Sequence, residues 1–266
     1  MADDHAALRS IQSFLLDLDG TIYLGANIIP GAVEFIQYLR DSRRPFLFFT
    51  NNSSKNARDY AKKLSAMGIA ATPDDVLSSG EATVRYLLGE TSYRRVFVVG
   101  TPSLENELRD AGVELTESKP EAVVVGFDNT LTYAKLERAC LLLREGLPYF
   151  ATNPDKVCPT EYGYIPDCGS IAALLREATG RSPEFIGKPN PAMVRMGMRK
   201  IGATPDTTAM VGDRLYTDMQ MAYNAGTVSV LLLSGETKRA DLDTVERRPD
   251  FVFESARDLY EALRSG

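Results

Sequence analysis

Asp17 and Asp19 stand one residue apart at the end of an apolar run, Phe14-Leu15-Leu16-Asp17-Leu18-Asp19-Gly20-Thr21. Read as a buried strand, the run alternates its side chains with a period of two. Both carboxylates then point the same way, just where Gly20 lets the backbone turn. Like charges that share one cavity do not both ionise cheaply, and a divalent cation, or a proton held on one of them, resolves the conflict. Asp-Gly is also an ordinary turn signal, so the octapeptide alone is equally a strand running into a turn. Far downstream a second apolar strand ends in Gly212-Asp213, with Asp218 five residues on. In open α/β sheets ligands gather beyond the carboxyl ends of the strands, so Asp17, Asp19, Thr50 and Asp213 converge there if their strands are neighbours. Four oxygen-bearing side chains suit a hard cation, and magnesium fits this inventory better than zinc does.

Histidine makes the most useful subtraction. His5 is the one histidine of 266 residues and sits in a terminal segment of the kind that tends to be mobile. Ser-His-Asp triads, His-rich zinc sites and histidine general bases are thereby almost excluded, and proton transfer falls to carboxylates, lysine or tyrosine. Cys140, Cys158 and Cys168 are odd in number and lack Cys-x-x-Cys spacing, which argues against both a disulfide framework and a thiolate metal site. A net charge of −6 without a Lys/Arg-rich block argues against a nucleic-acid groove. A small anionic substrate must then be held by local positive groups. Lys188 is a candidate, followed by Pro189 and by Pro191 in the first turn of a helix. Alone, Lys-Pro is a solvated turn; its place between the other motifs gives it weight.

The elements that must position these residues alternate between strand and helix from end to end, the pattern of an α/β fold with a doubly wound, mainly parallel sheet. Ala32, Phe35, Ile36 and Leu39 fall on one helical face, and Pro45 to Thr50 follows as a second buried strand. A polar stretch, Asn51 to Asn56, opens a helix with Ala57, Ala61, Leu64 and Met67 on its apolar face and Gly68 at its end. Residues 79–185 carry their own strands near Val96–Val99, Ala122–Gly126 and Tyr149–Thr152, with helices over Tyr133–Arg144 and Ser170–Thr179. About a hundred residues suffice for an independent α/β domain. The expected organisation is a core of residues 1–78 and 186–266 with an α/β cap inserted at 79–185. Beyond it the pattern predicts a helix over Pro191–Lys200, strands at Ala209–Gly212, Val228–Leu233 and Phe251–Phe253, and helices ending at Gly226 and Leu263.

With these stretches in order, the sequence resembles the haloacid dehalogenase-like (HAD) phosphohydrolase superfamily over essentially its whole length. Asp17-Leu18-Asp19-Gly20-Thr21, Thr50-Asn51-Asn52, Lys188-Pro189 and Gly212-Asp213 with Asp218 match that family's four motifs. The insertion between Thr50 and Lys188, flanked by Thr50-Asn51-Asn52-Ser53 and Gly187-Lys188-Pro189-Asn190-Pro191, looks like the NagD-like branch. That branch includes nitrophenylphosphatase-like, nucleotide, sugar-phosphate, phosphoglycolate and pyridoxal phosphate phosphatases. The resemblance implies a Rossmannoid core and magnesium-dependent hydrolysis of small phosphate monoesters. Asp17 would attack phosphorus to give an aspartyl-phosphate. Asp19 would protonate the leaving alcohol and then deprotonate water, a duty that asks for a pKa raised by the crowding of Asp17. Mg2+ would be held by Asp17, the carbonyl of Asp19 and Asp213, with Asp218 supporting the loop. Thr50, the backbone of Asn51 and Lys188 would hold the phosphoryl oxygens. In this branch a cap Asn and Asp comparable to Asn153 and Asp155 face the active site, although Asn-Pro is equally a turn. Members often associate through the cap, so a homodimer formed there is one expectation, with no nucleic acid or membrane partner.

Two rivals remain: a phosphotransferase or mutase using the same nucleophile, and a sensor that binds phosphometabolites at an inert site. Asp19 speaks against inertness, because pure binding has no need of an acid–base carboxyl. Asp128 is a weaker cap candidate, Met193, Met196, Met198 and Met221 suggest core packing, and Gly100-Thr101-Pro102 suggests a plain strand-to-helix turn. No apolar run approaches the roughly 20 residues of a membrane span, and no signal-peptide core follows the acidic start, so the cytoplasm is the expected compartment.

Overall fold

The apolar run before Asp17 forms the strand Ser13–Asp17, buried along its whole length. It lies inside a six-stranded sheet whose order is Phe251–Phe253, Val228–Leu232, Thr208–Gly212, Ser13–Asp17, Phe46–Thr50 and Val76–Ser78. Its own pairings, with Thr208–Gly212 on one side and Phe46–Thr50 on the other, are both parallel. A strand covered on both faces has no solvated side, which is why these sequences are continuous apolar runs. The computed structural model describes residues 7–160 and 163–265; His5 lies outside them. Among the described residues, no helix is long and apolar enough to cross a membrane.

The chain divides into two compact units, residues 1–50, 61–77 and 189–266 in one and 51–60 with 78–188 in the other. In the first unit, helix Ala32–Asp41 buries Ala32, Phe35, Ile36 and Leu39, and Phe35 meets Phe14 edge-on with ring centroids 5.7 Å apart. Helix Pro191–Ile201 starts where the Asn190 side chain accepts the Ala192 N–H at 2.9 Å. Its methionines 193, 196 and 198 are buried, as is Met221, so that stripe is core.

The second unit carries a five-stranded parallel sheet in the order Glu184–Phe185, Tyr149–Ala151, Ala122–Val125, Arg95–Val99 and Glu114–Leu115. Phe97, Val123, Val125, Leu143 and Leu175 belong to its core. Helices Ser79–Glu90 and Pro102–Asp110 and the hairpin of Val157–Thr160 with Gly163–Pro166 add to the elements read from sequence. Thr101 caps Pro102–Asp110 by accepting the Leu104 N–H at 3.4 Å, so Gly100-Thr101-Pro102 is a strand-to-helix turn. Segment 51–60, placed with the core by the sequence pattern, groups with this unit. Its hydrogen bonds explain the grouping: Ser53 Oγ pairs with Thr152 Oγ1 at 2.8 Å and accepts the Phe127 N–H at 2.9 Å, and Thr101 Oγ1 donates to the Ser54 carbonyl at 3.0 Å.

Candidate active site

Asp17 ends its strand, and register decides what can meet it. Leu16 lies opposite Val211, and Asp17 lies opposite Phe49. Gly212-Asp213 and Thr50 therefore reach the same carboxyl edge of the sheet. There Asp17, Asp213 and Asp218 each offer a carboxylate oxygen within 4.8 Å of the other two, and all three residues are buried. Asp218 gets there through a π-helical turn, Leu215–Met219, in which the Met219 N–H bonds the Arg214 carbonyl at 3.1 Å. The wider turn suits a spacing of five, and Asp218 Oδ2 returns to accept the Arg214 N–H at 3.1 Å. Asp218 thus braces the loop and adds a third carboxylate to the cluster.

Asp19 arrives differently from the way strand periodicity suggests. The strand stops at Asp17, and the Leu18 carbonyl then accepts the N–H groups of Thr21, Ile22 and Tyr23 while the Gly20 N–H donates to the Tyr23 carbonyl at 2.7 Å. Gly20 has φ +91°, a conformation that strains any other residue. Asp19 therefore sits half-buried in a tight loop, outside the three-carboxylate group.

A loop absent from the sequence reading completes this edge. The Glu236 N–H donates to Asp213 Oδ2 at 2.6 Å, the Thr237 N–H donates to the Asp213 carbonyl at 3.2 Å, and Ser234 Oγ donates to the Gly20 carbonyl at 2.8 Å. A Cβ on Gly235 would lie 1.9 Å from Asp213 Oδ2. The available signal was a Ser-Gly pair two residues after the strand Val228–Leu232, at the same carboxyl edge.

Three buried carboxylates this close repel by about 3 kcal/mol or more per pair at an effective dielectric near 20. Two backbone N–H donors offset part of that, and a bound cation is the direct remedy. The donors are all oxygen, with neither imidazole nor thiolate among them. Octahedral magnesium keeps its oxygens about 3 to 4 Å apart, so the group fits a hard dication.

Asn51, Asn153, Asp155 and Lys188 belong to the second unit and are buried there. Asn51 Oδ1 accepts the Lys188 N–H at 2.8 Å, and its Nδ2 donates to the Lys188 carbonyl and to Asp155 Oδ2, both at 3.1 Å. The Asn51 carbonyl accepts Asn153 Nδ2 at 2.6 Å, and Asn153 Oδ1 accepts the Asp155 N–H at 3.0 Å. One asparagine side chain therefore fixes the backbone on both sides of Lys188. Asp128, by contrast, is consumed locally: it accepts from Thr130 and pairs with Lys135 Nζ at 2.7 Å. Burial pushes the Cys168 thiol up from its usual 9 to about 12, so it is no ready nucleophile.

A model of haloacid dehalogenase-like hydrolases matches residues 14–114, and a second, HAD-hydrolase-like model matches residues 185–259. The chain is 35% identical over 257 residues to an acid sugar phosphatase of Staphylococcus haemolyticus, a match covering 96% of this chain and 97% of that protein. It is similar to the solved 4-nitrophenylphosphatase from Thermotoga maritima, with 46% identity, a TM-score of 0.94 and coverage of 97% and 99% of the two chains. NagD from E. coli K-12 follows the same fold with 30% identity, a TM-score of 0.88 and coverage of 93% and 98%. A parallel sheet with aspartates at its carboxyl edge, in a chain with these relatives, makes this protein a member of the haloacid dehalogenase-like hydrolases. Within that family it belongs to the NagD-like branch.

Proposed function

We propose that this chain hydrolyses phosphate monoesters of small metabolites, such as a sugar phosphate or a nucleotide, with Mg2+ as cofactor and Asp17 as nucleophile. The observation that carries the reading is the buried group of Asp17, Asp213 and Asp218 at the carboxyl edge of the sheet, in a chain whose relatives are phosphatases. A carboxylate oxygen of Asp17 attacks phosphorus, the bond from phosphorus to the leaving oxygen breaks, and Asp19 gives that oxygen its proton. Asp19 then takes a proton from water, which attacks the aspartyl-phosphate and releases inorganic phosphate with Asp17 restored. Asp17, Asp213 and the Asp19 carbonyl, with Asp218 beside them, would hold Mg2+, which when bound would neutralise charge between the nucleophile and the phosphoryl group.

Thr50, the Asn51 N–H and Lys188 hold the phosphoryl oxygens. Support for grouping them comes from the chain itself, since Thr50 and Asn51 are consecutive and the Asn51 side chain grips Lys188. The inserted domain then serves as a cap that selects the leaving group, with Asn153 and Asp155 bracing Asn51.

The test is release of inorganic phosphate from nitrophenyl phosphate in the presence of Mg2+. Phosphate equal to nitrophenol, loss of turnover on chelation and loss in Asp17→Asn are the expected results. Nitrophenol in excess of phosphate when an acceptor alcohol is present would instead indicate a phosphotransferase, and binding without turnover would indicate a sensor.

A further inference from the structure

At the far end of the strand that Thr50 closes, the turn leading into Phe46 gathers three arginines. Helix Ala32–Asp41 is followed by a chain reversal in which the Arg43 N–H bonds the Arg40 carbonyl at 3.0 Å and the Arg44 N–H bonds the Leu39 carbonyl at 2.8 Å. Arg43 has φ +54°, a left-handed conformation for which glycine is the low-cost occupant. Arg40, Arg43 and Arg44 line an open pocket of about 400 Å³, with Asp75 as the acidic lining residue and Leu39, Phe46 and Ile201 on its apolar wall. That volume is within the range of small-ligand sites.

Two of the three side chains are held in place. Arg40 lies over the Phe46 ring at 5.4 Å from its centroid, and Arg44 lies over the Tyr38 ring at 5.8 Å. Arg40 also donates to the Ala70 carbonyl and lies 3.8 Å from Asp75. Arg44 Nη1 is shut off from solvent and has no hydrogen-bond partner among the described residues. Basic residues at a helix C-terminus complement its dipole, which accounts for Arg40. The left-handed residue at Arg43 belongs to the turn that ends the helix; neither feature accounts for the unpartnered Arg44 Nη1.

Three guanidinium charges against one carboxylate leave a local excess of positive charge on a chain whose net charge is −6. A dianion balances it, and the planar guanidinium fork suits phosphoryl oxygens. We infer that this pocket is a second, non-catalytic site for a small organic phosphoryl dianion whose apolar part rests against Leu39, Phe46 and Ile201. Phe46 begins the strand that Thr50 ends, so this site lies roughly 13 Å along the sheet from the catalytic edge at about 3.3 Å per residue.

Isothermal titration of the full chain with phenylphosphonate, in Mg2+ and at low and raised salt, tests the assignment without relying on turnover, because the carbon–phosphorus bond is not an ester. Two molecules per chain are expected, one of them salt-sensitive. Each guanidinium removed should weaken that one by about tenfold, and Arg43→Gly/Arg44→Gln should lose it while inhibition of nitrophenyl phosphate hydrolysis is unchanged. Arg43→Gly alone should hold or raise Tm while lowering affinity at the outer site, whereas a purely structural Arg43 would lower Tm and leave binding intact. Methylphosphonate, which lacks the ring, should bind the outer site more weakly. One molecule per chain in the wild type, or two in both wild type and double variant, would overturn the inference.

Discussion

Gly235→Ala should damage the acidic cluster while leaving every carboxylate in the sequence. The backbone at 235 lies outside the left-handed region, so alanine brings no conformational strain, only a methyl group. That Cβ would stand 1.9 Å from Asp213 Oδ2, where ordinary contact begins at 3.4 Å. The carboxylate or the loop must retreat by about 1.5 Å, and a retreat by the carboxylate also stretches the bond from the Glu236 N–H, now 2.6 Å long. A misplacement of about 1 Å at a reacting centre costs on the order of 10²-fold in rate. The expected result is a fall of about 10²-fold in kcat/KM for nitrophenyl phosphate, with half-saturation by Mg2+ moved to higher concentration. Folding stability should fall by only about 1–3 kcal/mol, the usual cost of overpacking. Unchanged turnover with unchanged Mg2+ dependence would refute the placement of this loop against Asp213.

Three further substitutions probe other parts. Asp19→Asn should lower kcat by about 10² to 10⁴-fold, the range for lost acid–base help, with a smaller deficit for the activated leaving group nitrophenol than for an alkyl phosphate; equal deficits would argue against proton donation by Asp19. Asn51→Ala removes the acceptor for the Lys188 N–H and the donor to its carbonyl, so urea unfolding should show a loss of about 2 kcal/mol and KM should rise; an unaffected KM would separate Asn51 from phosphate binding. Cys168, held up to about 12 by burial, keeps a proton that the unfolded chain releases above its usual 9. Stability from this group is complete below that value and is lost as pH rises through about 12, by at most about 1.4 kcal/mol per pH unit. Cys168→Ala should flatten the alkaline fall in the urea midpoint, and an identical slope in the two proteins would contradict this.

The parts of the fold that were legible are those encoded locally. The strand Ser13–Asp17, the helix opened by Asn190 and Pro191, and the strand Thr208–Gly212 each combine an apolar run with a capping or turning residue. Register between neighbours then brings Asp17 and Asp213 to one edge. The rest depends on partners distant in sequence or on unusual local geometry. Segment 51–60 joins the second unit because Ser53 meets Thr152 and Phe127, pairings no local pattern announces. Asp218 enters the carboxylate group because a π-helical turn follows Asp213, whereas a spacing of five reads simply as a trailing acid. Helix Ser79–Glu90 carries glycines 80 and 89, which weaken the helical signal; a Cβ at Gly80 would lie 2.6 Å from Glu107 Oε2.

The most direct measurement concerns the covalent step. Nitrophenyl phosphate and Mg2+ are mixed with the wild-type chain, turnover is quenched in acid, the trapped acyl phosphate is reduced with borohydride, and the peptide spanning Asp17 is sequenced by mass spectrometry. Reduction of Asp17 to homoserine, absent when substrate is omitted, is the result expected. Homoserine at another aspartate, or an Asp17→Asn variant that turns over at the wild-type rate, would contradict Asp17 as the nucleophile.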